Sequence, residues 1–69
     1  LEFLIQKGSP VIGIPLQEIK LKKNVLVCCI NHGGQIITPR GSDVIHEMDT
    51  VIVVTTETGF SDIADILEG

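Results

Sequence analysis

The strongest pattern in the chain is a run of six apolar residues, Val25-Leu26-Val27-Cys28-Cys29-Ile30. It is apolar at every position rather than alternating, which predicts a strand covered on both faces. Asn31-His32-Gly33-Gly34 follows as a hairpin turn whose glycines supply positive φ. Gln35-Ile36-Ile37-Thr38 returns as the partner strand. Thr50 to Thr56 reads as another strand, fully apolar from Val51 to Val54. At the start of the chain, Leu1 to Ile5 predicts a short strand with Leu1, Phe3 and Ile5 on one face.

Between these strands the pattern predicts two short helices. Pro15 suits a first helical position, where its missing N–H is not needed. Leu16 and Ile19 are three apart, so Pro15 to Ile19 reads as a short helix with one apolar face, after an extended Val11 to Ile14. Near the end, Ser61 is an expected N-cap, with Asp62 in the first turn. Ile63, Ile66 and Leu67 then form an i, i+3, i+4 stripe on a helix of about eight residues, marginal unless it docks. Lys7 to Pro10 and Pro39 to Asp43 read as turns. Val44 and Ile45 anchor a connector through His46-Glu47-Met48-Asp49.

The expected order is strand, helix, strand, strand, strand, helix. The expected class is α+β: one domain over residues 1–69, with a small, mostly antiparallel sheet and two short helices. Two all-apolar strands need more cover than two short helices supply. The expectation is therefore a homodimer whose interface completes the core.

Composition sharpens that picture. With 69 residues, 43% apolar and 20% charged, the chain is globular rather than disordered. A chain of this size buries only about 60% of its unfolded surface, which again favours a partner. Five basic residues against nine acidic ones, and only two aromatics, exclude a nucleic-acid surface. No apolar run approaches the ~20 residues of a membrane helix, and no signal peptide is visible. The chain begins at Leu1 without a Met, so it is expected to be a piece of a longer protein. The only two cysteines, Cys28 and Cys29, are adjacent in a strand, where neighbours point to opposite faces. They build no disulfide framework, which suits a reducing, cytoplasmic setting, and they read as small buried hydrophobes.

Catalytic chemistry is hard to place. There is no phosphate loop of standard spacing, and Ser9, Ser42 and Ser61 all sit in turns or caps rather than in a nucleophile elbow. Glu47 and Asp49 are a weak carboxylate pair. His32, His46, Asp43 and Glu47 can converge, yet their spacing matches no zinc pattern, so they read as surface groups and no metal site is assigned. Arg40, the only arginine, stands at a strand end. It could grip a phosphate or carboxylate there, or pair with Asp43 or Glu47. No enzyme is expected.

The order and spacing of four segments resemble the TrkA-C (also called RCK-C) domain family. These are Gly13-Ile14-Pro15-Leu16-Gln17-Glu18-Ile19, Val25 to Ile30, Gly34-Gln35-Ile36-Ile37-Thr38-Pro39, and Glu47-Met48-Asp49-Thr50 to Val54. The resemblance spans about residues 9–56, and Thr55 to Leu67 looks like the end of the second such domain of potassium-uptake regulators. Two positions depart from the family pattern. His32 stands where the family has an arginine after the first core strand, and Met48 replaces the glycine of a Gly-Asp pair.

The resemblance implies a non-enzymatic, dimeric regulatory domain on the cytoplasmic side of the membrane. Its partner is a potassium transporter subunit, reached through the full-length protein, without membrane insertion of its own. Some members bind cyclic di-AMP at the dimer two-fold, with no further cofactor in the domain. Carried over position by position, the ligand-binding candidates are Cys29, Ile30 and Asn31 at the strand end, with Gln35 and Ile36 opposite. His32 and Arg40 are placed to reach phosphates. The competing expectation is a purely structural dimerisation module.

Overall fold

The computed structural model describes residues 1–68. Four strands form one sheet: β1 (Glu2–Leu4), β2 (Val25–His32), β3 (Gln35–Ile37) and β4 (Thr50–Thr55). The spatial order is β1-β4-β2-β3, and every neighbouring pair is antiparallel. The four expected strands are therefore found, in the expected order along the chain. β2 and β3 meet through Gly33 and Gly34, with φ of 58° and 89°, the tight two-residue turn that a twisted hairpin favours.

Register settles which side chains face inward. Phe3, Val51, Ile30 and Ile37 lie opposite one another across the four strands, and Val27 lies opposite Val53. These positions face the core, where Ile30, Val51 and Val53 are fully buried. Ile5, Val11, Ile45, Ile63 and Ile66 pack on the same side. Among the described residues, Leu4, Leu26, Ile36 and Val54 on the other face are left more than half exposed. The all-apolar β2 is thus roofed on one side only, contrary to cover on both faces.

The roof itself differs from expectation. Leu16–Glu18 and Ile63–Ile66 are single 3-10 turns, not α-helices. Two extended segments do most of the covering. Ile12 pairs in parallel with Ile45, Gly13 N–H donates to Ile45 O at 3.0 Å, and Leu16 N–H donates to Asp43 O at 2.9 Å. The C-terminal turn is tied down the same way: Leu21 pairs with Leu67, and Lys22 N–H donates to Ile66 O at 2.8 Å. These long-range bonds use the backbone groups that another helical turn would need. In a 3-10 turn, residues three apart stack on one side, so Ile63 and Ile66 reach the core without an α-helix. The cap is Asp62 rather than Ser61.

Asp65 holds the entry to that turn. Its carboxylate accepts from the backbone N–H of Ser61 at 2.9 Å and of Asp62 at 3.0 Å. Bonds from these two N–H groups hold the Asp65 carboxyl below its usual range. An Asp lowered in the folded state stabilises the fold above its unfolded pKa, and that stability is lost as pH falls through the folded value. Asp65→Asn is expected to lower the urea midpoint at neutral pH. It is also expected to lose less stability than wild type on going from about pH 5 to about pH 3. Equal acid sensitivity in both proteins would refute the assignment.

Met48 is 66% exposed and has φ of 72°, the left-handed region where an L side chain crowds the backbone. The cost is about 1–2 kcal/mol, against about 0.5–1 kcal/mol of extra unfolded entropy for glycine. Met48→Gly is therefore expected to stabilise the domain by roughly 0.5–1 kcal/mol in urea denaturation, and Met48→Val to destabilise it.

Candidate functional site

The uncovered face of the sheet is the first candidate. Leu26 lies opposite Val54, Cys29 opposite Ile52, and Asn31 opposite both Thr50 and Ile36; Leu4 lies opposite Thr50. Of these, Leu4, Leu26, Ile36 and Val54 are each more than half exposed. Large aliphatic groups gathered on one flat face mark a contact surface.

A bulge between Val27 and Cys29 shapes its centre. Strict alternation would send Cys28 and Cys29 to opposite faces, but their sulfurs stand 3.5 Å apart. The Cys28 thiol, together with burial, pushes the Cys29 thiol pKa up. Cys29 therefore stays protonated at neutral pH and is a poor nucleophile.

The second candidate lies at the end of β2, on the core side of the sheet. His32 closes the hairpin opposite Gln35. Its Nδ1 is 2.5 Å from Oδ1 of Asp49, which comes from the residue just before β4. Asp49 is a buried carboxylate, 2% exposed, and its Oδ2 accepts the backbone N–H of His46 at 2.9 Å. The His46 Nδ1 stands 3.7 Å from the same oxygen, and the two imidazoles are 5.2 Å apart. An ionised carboxylate only accepts, so Nδ1 of His32 carries the proton in this contact. Backbone bonds fix Asp49 on both sides: Ile5 N–H donates to Asp49 O at 2.8 Å, and Asp49 N–H to His46 O at 3.2 Å.

The positions carried over from the resemblance do not gather at one place within a single chain. Cys29, Asn31 and Ile36 share the open face. Ile30 is buried in the core, at the floor of the cleft that His32 and Gln35 line. His32 and Gln35 line the cleft that also holds Ser42, Asp43, His46 and Asp49. Arg40 lines a separate cleft together with Leu26 and Val27, and its backbone N–H donates to Asp43 Oδ2 at 2.7 Å. His32 and His46 do converge, but on Asp49 rather than on Asp43 or Glu47. In the sequence, Asp49 stands out only as half of a weak carboxylate pair with Glu47 and as the acid of the family's Gly-Asp pair, not as the partner of the histidines. The nearest signal is an acidic residue directly before an all-apolar strand.

Because Asp49 is buried, removing it strands the His46 N–H and the His32 ring N–H. Asp49→Ala is expected to cost about 1–3 kcal/mol in urea denaturation, whereas Glu47→Ala, at an exposed neighbour, stays within about 0.5 kcal/mol of wild type.

The family model described as the TrkA-C domain matches residues 1–68. Among curated proteins, the chain is 36% identical over 53 residues to Trk system potassium uptake protein TrkA homolog 2 of Methanosarcina mazei, covering 77% of the chain and 12% of that protein. It is 27% identical over 63 residues to TrkA homolog 1 of the same organism, covering 91% of the chain and 14% of that protein. It is 26% identical over 69 residues to the Trk system potassium uptake protein TrkA homolog of Pyrococcus abyssi, covering 99% of the chain and 30% of that protein. The chain thus spans 12% to 30% of the length of these relatives.

Proposed function

The chain belongs to the TrkA-C domain family, and from that membership we propose that it is the regulatory dimerisation and ligand-sensing domain of a cytoplasmic potassium-uptake regulator. The observation that carries the reading is the open sheet face. Leu4, Leu26, Ile36 and Val54 are exposed there on one side of a sheet whose other side carries the buried core. Two copies meeting by these faces bury the aliphatic groups and complete a two-sided core.

A ligand on the two-fold between such faces meets Cys29, Asn31 and Ile36 from each copy. Cyclic di-AMP suits that symmetry, since it presents two identical halves. Its flat purines pack on Ile36 and Cys29. The Asn31 amide accepts Gly34 N–H through Oδ1 at 3.0 Å, which leaves its NH₂ group free to donate to a base. Such a ligand regulates only by binding one arrangement of the two copies more tightly than another. In the full-length regulator that preference passes to the potassium transporter subunit.

A second reading is a dimerisation module with no ligand of its own. It is favoured by a specific observation: His32, the imidazole that would reach phosphates, is bonded to Asp49 on the core side of the sheet and not on the open face with Asn31 and Ile36.

Sedimentation equilibrium of the chain, with amide-shift mapping during a cyclic di-AMP titration, tests both. A dimer is expected, with shifts at Cys29, Asn31 and Ile36 at about millimolar ligand. Ile36→Asp and Leu26→Asp are expected to stay folded and to weaken self-association by about 2 kcal/mol or more. A dimer without shifts leaves the second reading. A folded monomer at high concentration sinks both.

A further inference from the structure

The dimer reading makes no use of the cluster at the end of β2. His32, His46 and Asp49 each offer one donor atom, and these atoms all lie within 4.8 Å of one another. We propose that the three side chains form a binding site for a single divalent transition-metal ion of the zinc type. The donor chemistry selects the class. Two imidazoles and one carboxylate suit zinc and its first-row neighbours, whereas calcium and magnesium demand shells built from oxygen. Three protein donors leave one tetrahedral position for water or an incoming ligand.

The anchoring is that of a built site. His32 ends β2 at the closing pair of a tight hairpin, Asp49 directly precedes β4, and His46 is held by its backbone N–H to Asp49 Oδ2. The carboxylate is buried while both imidazole side chains are 60% exposed, so an ion arrives from solvent and meets a fixed negative charge at the floor. The cleft has a volume of about 320 Å³, room for an ion and its water. Bonds of about 2.0–2.2 Å set tetrahedral donors about 3.4 Å apart. Rotation of the two exposed rings supplies the adjustment this needs, opening the 2.5 Å contact between His32 and Asp49 and drawing in the wider-spaced donors, all of which lie within 4.8 Å of one another.

The ion takes the place of the proton that His32 Nδ1 now gives to Asp49. A neutral ring then carries its proton on Nε2, and a doubly protonated ring releases one proton to solvent. Bound there, the ion ties the end of β2 to the connector and to the start of β4, next to the β2–β3 hairpin.

The test is calorimetric titration of zinc chloride into the chain in a non-chelating buffer, followed by the imidazole C–H resonances. One ion per chain is expected, with both histidine rings shifted and with no binding of magnesium or calcium. His46→Ala removes an exposed ring that the fold does not need, and it is expected to weaken zinc binding at least tenfold, with an unchanged circular dichroism spectrum. Cys28→Ser/Cys29→Ser is expected to bind as wild type does. The proposal is overturned if millimolar zinc gives no heat and no imidazole shift. It is equally overturned if His46→Ala binds as tightly as wild type, or if the double serine variant loses binding, which would make the thiols the ligands.

Discussion

The antiparallel pairing of β2 with β4 is the constraint on which everything else in this domain rests. It runs from Val25 opposite Thr55 to Asn31 opposite Thr50, and it carries the bulge at Cys28. Without the bulge, strict alternation along the six-residue apolar run would put Ile30 on the same face as Leu26 and Cys28. With it, Val25, Val27 and Ile30 all face the core. Leu26 faces away, and the adjacent sulfurs come within van der Waals reach of each other. One extra residue therefore decides both the composition of the core and that of the exposed sheet face.

Covering the core side costs the chain its helices. A segment of four or five residues gains little from helix formation, because the first turn fixes several dihedrals for one hydrogen bond. Here the competing offer is better. Ile12 and Leu21 find extended partners in Ile45 and Leu67, and each pairing satisfies backbone groups while it lays aliphatic side chains on the sheet. Asp65 then supplies acceptors to the N–H groups of Ser61 and Asp62 at the start of the last turn. The roof is a patchwork of paired extended backbone closed by two 3-10 turns.

The two departures from the family pattern sit close together in space. Met48 adjoins Asp49, and Asp49 holds His32. A residue in a left-handed conformation just before Asp49 helps turn the chain into β4, and Asp49 enters that strand with its carboxylate under the end of β2. At the position where the family pattern has an arginine, this chain has a histidine bonded to a buried carboxylate. The corner holds an imidazole pair around the Asp49 carboxylate.

The amino-acid sequence alone determined the order of the elements, the four strands, the Gly33-Gly34 hairpin and the family resemblance. Those features rest on local signals: runs of apolar residues, glycines at positive φ, and spacing along the chain. Tertiary structure decided the rest. Whether Ile63, Ile66 and Leu67 sit on an α-helix or on a 3-10 turn ending in a bridge depends on Leu21, more than forty residues away, and no local period separates the two. That His32 meets Asp49 rather than Asp43 or Glu47 follows from strand pairing across 17 positions of sequence. Ile30 and Ile36 look alike in the sequence, yet one is core and the other surface. Their faces are set by register and by a bulge, which a sequence read one residue at a time does not contain.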